Sequence, residues 1–124
     1  MMSDTQESTN TIRTLNDRFR QTMPDGSDVP GRLMITAGIQ ALASGDAEPA
    51  ANLRRLLDQV RRFDDFSNDN DPYREHDFGA IDFGGNQVFW KIDYYAPDLM
   101  QGSEDPADTD KTVRVLTVML AEEY

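Results

Sequence analysis

The sequence predicts an α+β fold, two main helices packed on one face of a mainly antiparallel sheet of about four strands. Three observations predict it. Apolar residues recur every three or four positions in the first half of the chain, and alternation of period two takes over after Asp77. A pair of glycines then splits the alternating segment in the manner of a hairpin. Helical segments followed by strand segments are the order expected of an α+β layer.

The first nine residues, "MMSDTQEST", are polar and are expected to fray, leaving residues 10–124 as a single domain. From Asn10 the order begins. Ile12, Leu15, Phe19 and Met23 mark one helical stripe, with Asn10 placed to cap the first turn, so a helix is expected over about 11–22. "PDGSDVPG", residues 24–31, ends it, because proline lacks an amide donor and glycine opens turn geometries. "RLMITAG", residues 32–38, is short, apolar and partly β-branched, which suits a buried strand. "IQALASG" adds a helical turn, after which Asp46 is expected to open the longest helix. Leu53, Leu56, Leu57 and Val60 line its inner face, and Arg54, Arg55, Arg61 and Arg62 take the others.

"DFGAIDF", "GGN" and "QVFWKIDYY" read as a hairpin whose second arm turns Val88, Trp90, Ile92 and Tyr94 to one face. Phe89 and Tyr95 go to the opposite face, and a second layer is expected to cover Phe89. A long loop, residues 96–111, leads to "TVRVLTVMLA", apolar on both sides and therefore expected to be a central, doubly covered strand.

Charge narrows the function. The 124 residues carry 23 acidic and 12 basic groups, a net charge of −11, which disfavours direct contact with nucleic acid or an anionic membrane. Between Asp64 and Asp110 stand 13 acidic residues against Arg74 and Lys91 alone; the rest of the chain therefore holds 23 − 13 = 10 acidic and 12 − 2 = 10 basic groups. The whole excess sits in one segment. The absence of cysteine removes disulfides and thiolate metal sites, and no apolar run of about 18 residues suggests a membrane span. The start of the chain lacks the basic and apolar pattern of a secretion signal, so a cytoplasmic protein is expected.

Chemistry centres on "DFSNDNDPYREHDFG", residues 65–79, which surrounds the only histidine, His76, with carboxylates. An EF-hand loop needs glycine at its sixth position and glutamate at its twelfth. Counting from Asp65 places Asn70 and His76 there, and counting from Asp69 places Arg74 and Ala80, so the motif fails. A looser hard-cation site would draw on Asp69, Asp71, Glu75 and Asp77. His76 would serve a metal-assisted hydrolase as general acid or base, although its neighbours in an extended chain point away from its ring. Serine elbows, phosphate loops and dinucleotide fingerprints are missing from the sequence. No cofactor is expected.

The segments "FDDFSNDNDPYREHDFGAIDF", "FWKIDYY" and "GSEDPADTDKTVRVLTVMLAEEY" resemble an uncharacterised family of small alphaproteobacterial proteins, domain of unknown function 3768. The resemblance runs from about Ile12 to Tyr124. It differs at "YYAPDL", where the family leads one to expect a further acidic residue. It implies a setting on plasmids and other mobile elements, and brings with it no reaction, cofactor or catalytic residue.

That setting and the charge map together favour a non-enzymatic protein-binding module, an inhibitor of anti-restriction or anti-CRISPR type. Asp69, Asp71, Glu75, Asp77, Glu104, Asp105 and Asp108 would stand in for phosphates on a basic partner surface, with Tyr73 and His76 beside them. The alternatives are the hydrolase at His76 and a structural or immunity-type subunit whose acidic loops only confer solubility. Mimicry requires residues 64–77 and 96–110 to flank one end of the sheet.

Overall fold

The computed structural model describes residues 4–45 and 47–124. The elements are α1 (Asp4–Thr22), β1 (Gly31–Ile35), α2 (Ala37–Ser44), α3 (Pro49–Arg61), β2 (Phe78–Phe83), β3 (Asn86–Tyr95), β4 (Val113–Leu120) and a closing 3₁₀ turn (Ala121–Glu123). The fold is α+β, with three α-helices rather than two and a mixed sheet of order β1-β4-β3-β2. β4 runs parallel to β1 and antiparallel to β3, and β2 pairs antiparallel with β3.

The hairpin lies where the glycines place it. Gly84 and Gly85 link β2 to β3 with φ of 61° and 85°, the left-handed region that a two-residue turn of this type requires at both positions. β1 forms within the apolar run but covers only Gly31–Ile35, and as an edge strand with no buried residue it is not the buried strand expected. α2 is longer than the single turn expected, because Thr36 caps it by accepting from the Ile39 amide.

Two helix expectations are corrected. The helix expected over 11–22 begins at Asp4, and Asn10 is inside it, accepting from Arg13 at 2.6 Å instead of capping it. The apolar stripe starts only at Ile12, so periodicity could not register the polar turns before it. α1, with 19 residues, is also the longest helix, exceeding the 13 of α3. Pro49 stands in the first turn of α3, where a missing amide donor costs nothing; Asp46 lies outside the described residues.

One core unites the helices with the sheet. Leu15 and Phe19 of α1, Ile39 of α2 and Leu56, Leu57 and Val60 of α3 cluster with Ile81, Val88, Trp90, Ile92, Leu116 and Val118. Pairing register puts these strand residues on a single face, as the alternation in "QVFWKIDYY" predicts. On the other face are Phe78, Phe89, Lys91, Asp93, Tyr95, Val113, Val115, Thr117 and Met119, none of which belongs to that cluster. β4 is therefore central but not doubly covered by a packed layer. A smaller aromatic group at one corner, Phe78, Phe89 and Tyr124 with ring centroids 5.0–6.0 Å apart, gives Phe89 its partial cover.

Candidate functional site

The acidic segment after α3 is folded back onto α1 by its own side chains. Asn70 accepts from the Ser67 amide at 2.7 Å and donates to the Asp65 carbonyl at 2.7 Å, which closes the turn that leads to Asp71. Asp71 is only 5% exposed, and its Oδ1 accepts from the His76 amide at 3.1 Å. Arg74 and His76 take φ of 59° and 56°, a left-handed conformation uncommon outside glycine. These two bends turn His76 inward.

The His76 ring is then held on three sides. Its Nδ1 lies 2.9 Å from Asp17 of α1, its Nε2 lies 3.6 Å from Asp71, and its ring stacks on Phe66 at 3.7 Å with planes 3° apart. Asp17 also accepts from Arg20 at 3.1 Å. The Arg20 guanidinium is buried 5.4 Å from the Phe66 ring centre and 5.1 Å from that of Trp90, and burial lowers its pKa against the opposing pull of Asp17. Glu75 and Asp77, the sequence neighbours of His76, are not its partners; a residue 59 positions away is. With both ring nitrogens facing carboxylates, the imidazole anchors this loop to α1.

A second cluster joins the two acidic segments. Asn16 donates to the Glu75 carbonyl at 3.0 Å and to the Tyr94 hydroxyl at 2.8 Å, while Tyr94 donates to the Glu75 carboxylate at 2.7 Å. The Asn16 oxygen accepts from Arg114 Nε at 2.6 Å, and Arg114 Nη2 donates to the Pro106 carbonyl at 2.7 Å. An unbroken chain of hydrogen bonds therefore runs from residue 75 to residue 106 through Asn16 and Arg114. Arg114 is 0% exposed, and its Nη1 has no partner among the described residues. Burial lowers the Arg114 pKa and, with the Glu75 bond, raises that of Tyr94. Asp77, half-buried beside Glu75, is pushed up from 3.8 to about 6 by desolvation first and Glu75 second.

The second acidic segment folds on itself. Thr112, buried, donates to the Asp105 carbonyl at 2.9 Å and sits 2.7 Å from the Ser103 hydroxyl. Asp98, Asp105 and Asp108 each accept a backbone amide two residues on, which shapes successive tight turns.

The nine residues singled out by sequence thus divide. Asp69, Tyr73, Glu104 and Asp105 are exposed, Asp108 is partly so, and Glu104 sits 3.4 Å from Lys111. Asp71, Glu75, His76 and Asp77 are drawn inward, and at least the first three hold the segment in place. Among the described residues, no group of three or more histidine, cysteine or acidic side chains is arranged to hold a metal ion, and the looser set of Asp69, Asp71, Glu75 and Asp77 is no exception. Sequence reading missed Asn16, Asp17, Arg20, Tyr94 and Arg114 as parts of the site. A signal existed: Asn16 and Arg20 continue the four-residue spacing from Ile12, and Arg114 shares its strand face with Leu116 and Val118.

Comparison with known proteins locates the chain by family alone. No curated protein and no solved structure matches it. A family model matches residues 35–123, from the last residue of β1 to the end of the 3₁₀ turn. The resemblance read from about Ile12 thus reaches further than the match, and the α1 residues that grip the acidic loop lie outside the matched stretch. A match over this much of the chain assigns it to the family described as "Protein of unknown function (DUF3768)".

Proposed function

We propose that this chain is a non-enzymatic binding module that presents a carboxylate-rich end of its sheet to a basic protein surface. The observation that carries the reading is the hydrogen-bonded chain Glu75–Asn16–Arg114–Pro106, which brings both acidic segments to the end of the sheet where β3 finishes and β4 starts. The exposed carboxylates of these two segments, Asp69, Glu104 and Asp105 with Asp64, Asp65, Asp98 and Asp110, form the recognition set, and exposed Tyr73 of the first segment supplies an aromatic anchor. Asp71, Glu75, His76 and Asp77 serve as scaffold instead of contact. The net charge of −11 fits a partner whose own ligand is a polyanion, as on a nuclease or another nucleic-acid-processing complex. Inhibition of anti-restriction or anti-CRISPR type is the activity this chemistry suits best.

Immobilised protein should capture a basic partner from host lysate, and duplex DNA should compete with it for that partner. Reversing Asp69, Glu104 and Asp105 to lysine together should abolish capture while leaving the fold intact by circular dichroism. Capture that survives the triple reversal removes the reading.

A further inference from the structure

The outer face of the sheet is an interaction surface of a different kind. Its side chains include Phe78, Phe89 and Tyr95, the exposed Met34, the partly exposed Val113 and Val115, and four charged groups, Arg32, Asp82, Lys91 and Asp93, with Glu123 at the rim. Two cations thus stand against three carboxylates, close to balance in a chain whose net charge is −11. A face that is nearly neutral and partly apolar on so acidic a molecule suits neither a strongly basic nor an acidic partner. It does complement itself. Lys91 and Asp93 stand two residues apart on the same face of β3, paired with each other at 2.9 Å. A two-fold axis lying between two such faces, across β3 between these residues, sets Lys91 of each copy opposite Asp93 of the other. The surrounding concavity of about 500 Å³, lined by Tyr95, Val115, Thr117, Met119 and Tyr124 among others, leaves apolar surface there to be covered.

We infer that two copies of this chain associate face to face through the outer side of the sheet, exchanging the Lys91–Asp93 pair between them. Four strands about 4.8 Å apart and about eight residues long give a footprint of roughly 500 Å². That is below the roughly 800 Å² per partner of a typical stable interface, so the dimer is weak, with a Kd between about 10 μM and 1 mM. Salt screens both the repulsion between two copies of net charge −11 and the attraction of the exchanged pairs, so salt does not identify this surface. Charge reversal at Lys91 and Asp93 leaves the carboxylates of the acidic end in place, so the two surfaces can be told apart.

Sedimentation equilibrium of the full chain tests it. The wild type should show a monomer–dimer equilibrium below about 1 mM. Lys91→Asp and Asp93→Lys should each weaken it at least about tenfold by placing like charges opposite one another. An equimolar mixture of these two variants should regain association, since one then offers two acidic groups to two lysines. A wild type that stays monomeric throughout, variants that dimerise as well as it does, or a mixture that remains monomeric overturns the inference. Both positions are partly exposed and lie outside the core cluster, and circular dichroism is the check that the variants are folded.

Discussion

Among the described residues, Asp77 is the carboxylic acid whose pKa is raised. Its carboxyl is raised from 3.8 to about 6 by burial and by Glu75, so between those values the folded chain holds a proton that the unfolded chain has released. Stability must then fall as pH rises through that window, and the penalty is complete above about pH 6. Asp77→Asn should raise Tm by about 2–5 °C at about pH 8 and by little at about pH 4, as read by thermal denaturation at both values. A gain that is equal at both would place the cause elsewhere. Arg114 is the opposite case, a buried cation whose bonds to Asn16 and Pro106 cannot be replaced by water. Arg114→Met leaves both acceptors without their donor, and urea denaturation should show a loss of about 2–4 kcal/mol. None of this was legible as a site. A lone arginine in an apolar strand says that something must satisfy it, but its partners are 98 and 8 residues away, and only the fold brings them together.

Elements were readable to the extent that they bury a regular stripe. α3 and the β2–β3 hairpin appear close to where periodicity and glycine chemistry put them, because each alternates apolar and polar residues at its own period, whereas the continuous apolar run of β1 marked a strand without revealing that it lies at the sheet edge. The first six residues of α1, which have no apolar side to bury, gave no such signal. The outer face of β4 misled in the other direction: Val113 and Val115 look like core in sequence, yet both stay partly exposed and neither belongs to the core cluster. Gly79 shows how tightly β2 is seated. A Cβ there would run into the Trp90 indole and the Phe63 ring, so Gly79→Val should unfold the hairpin side of the core and cost about 3 kcal/mol or more. Loss of the chemical-shift dispersion of the Trp90 indole NH checks this, and an unchanged indole signal with unchanged stability would contradict it. The loop that follows α3 depends on another contact. His76→Ala removes the stack on Phe66 and the bond to Asp17, and amide exchange across residues 65–77 should speed up at least about tenfold while core amides keep their protection.

At the scale of the whole molecule, charge is separated from packing. The helices and the inner sheet face supply the core, and the excess of acidic residues is confined to the segments that Asn16 and Arg114 tie to one end. Sequence alone located that excess and could not say whether its two parts meet, since they are divided by a hairpin of unknown direction. It also counted Asp71, Glu75 and Asp77 among outward carboxylates, because burial of an acid depends on partners such as His76 and Tyr94 that spacing does not reveal. Among the described residues, no helix is long and apolar enough to cross a membrane. The most direct measurement is the salt dependence of binding to the captured basic partner, compared between wild type, Asp69→Lys in the first segment and Glu104→Lys with Asp105→Lys in the second. Affinity should fall steeply with salt, and reversal in either segment should both weaken binding and flatten that slope. A slope that is flat in the wild type, or that responds to only one of the two segments, would contradict a shared acidic surface.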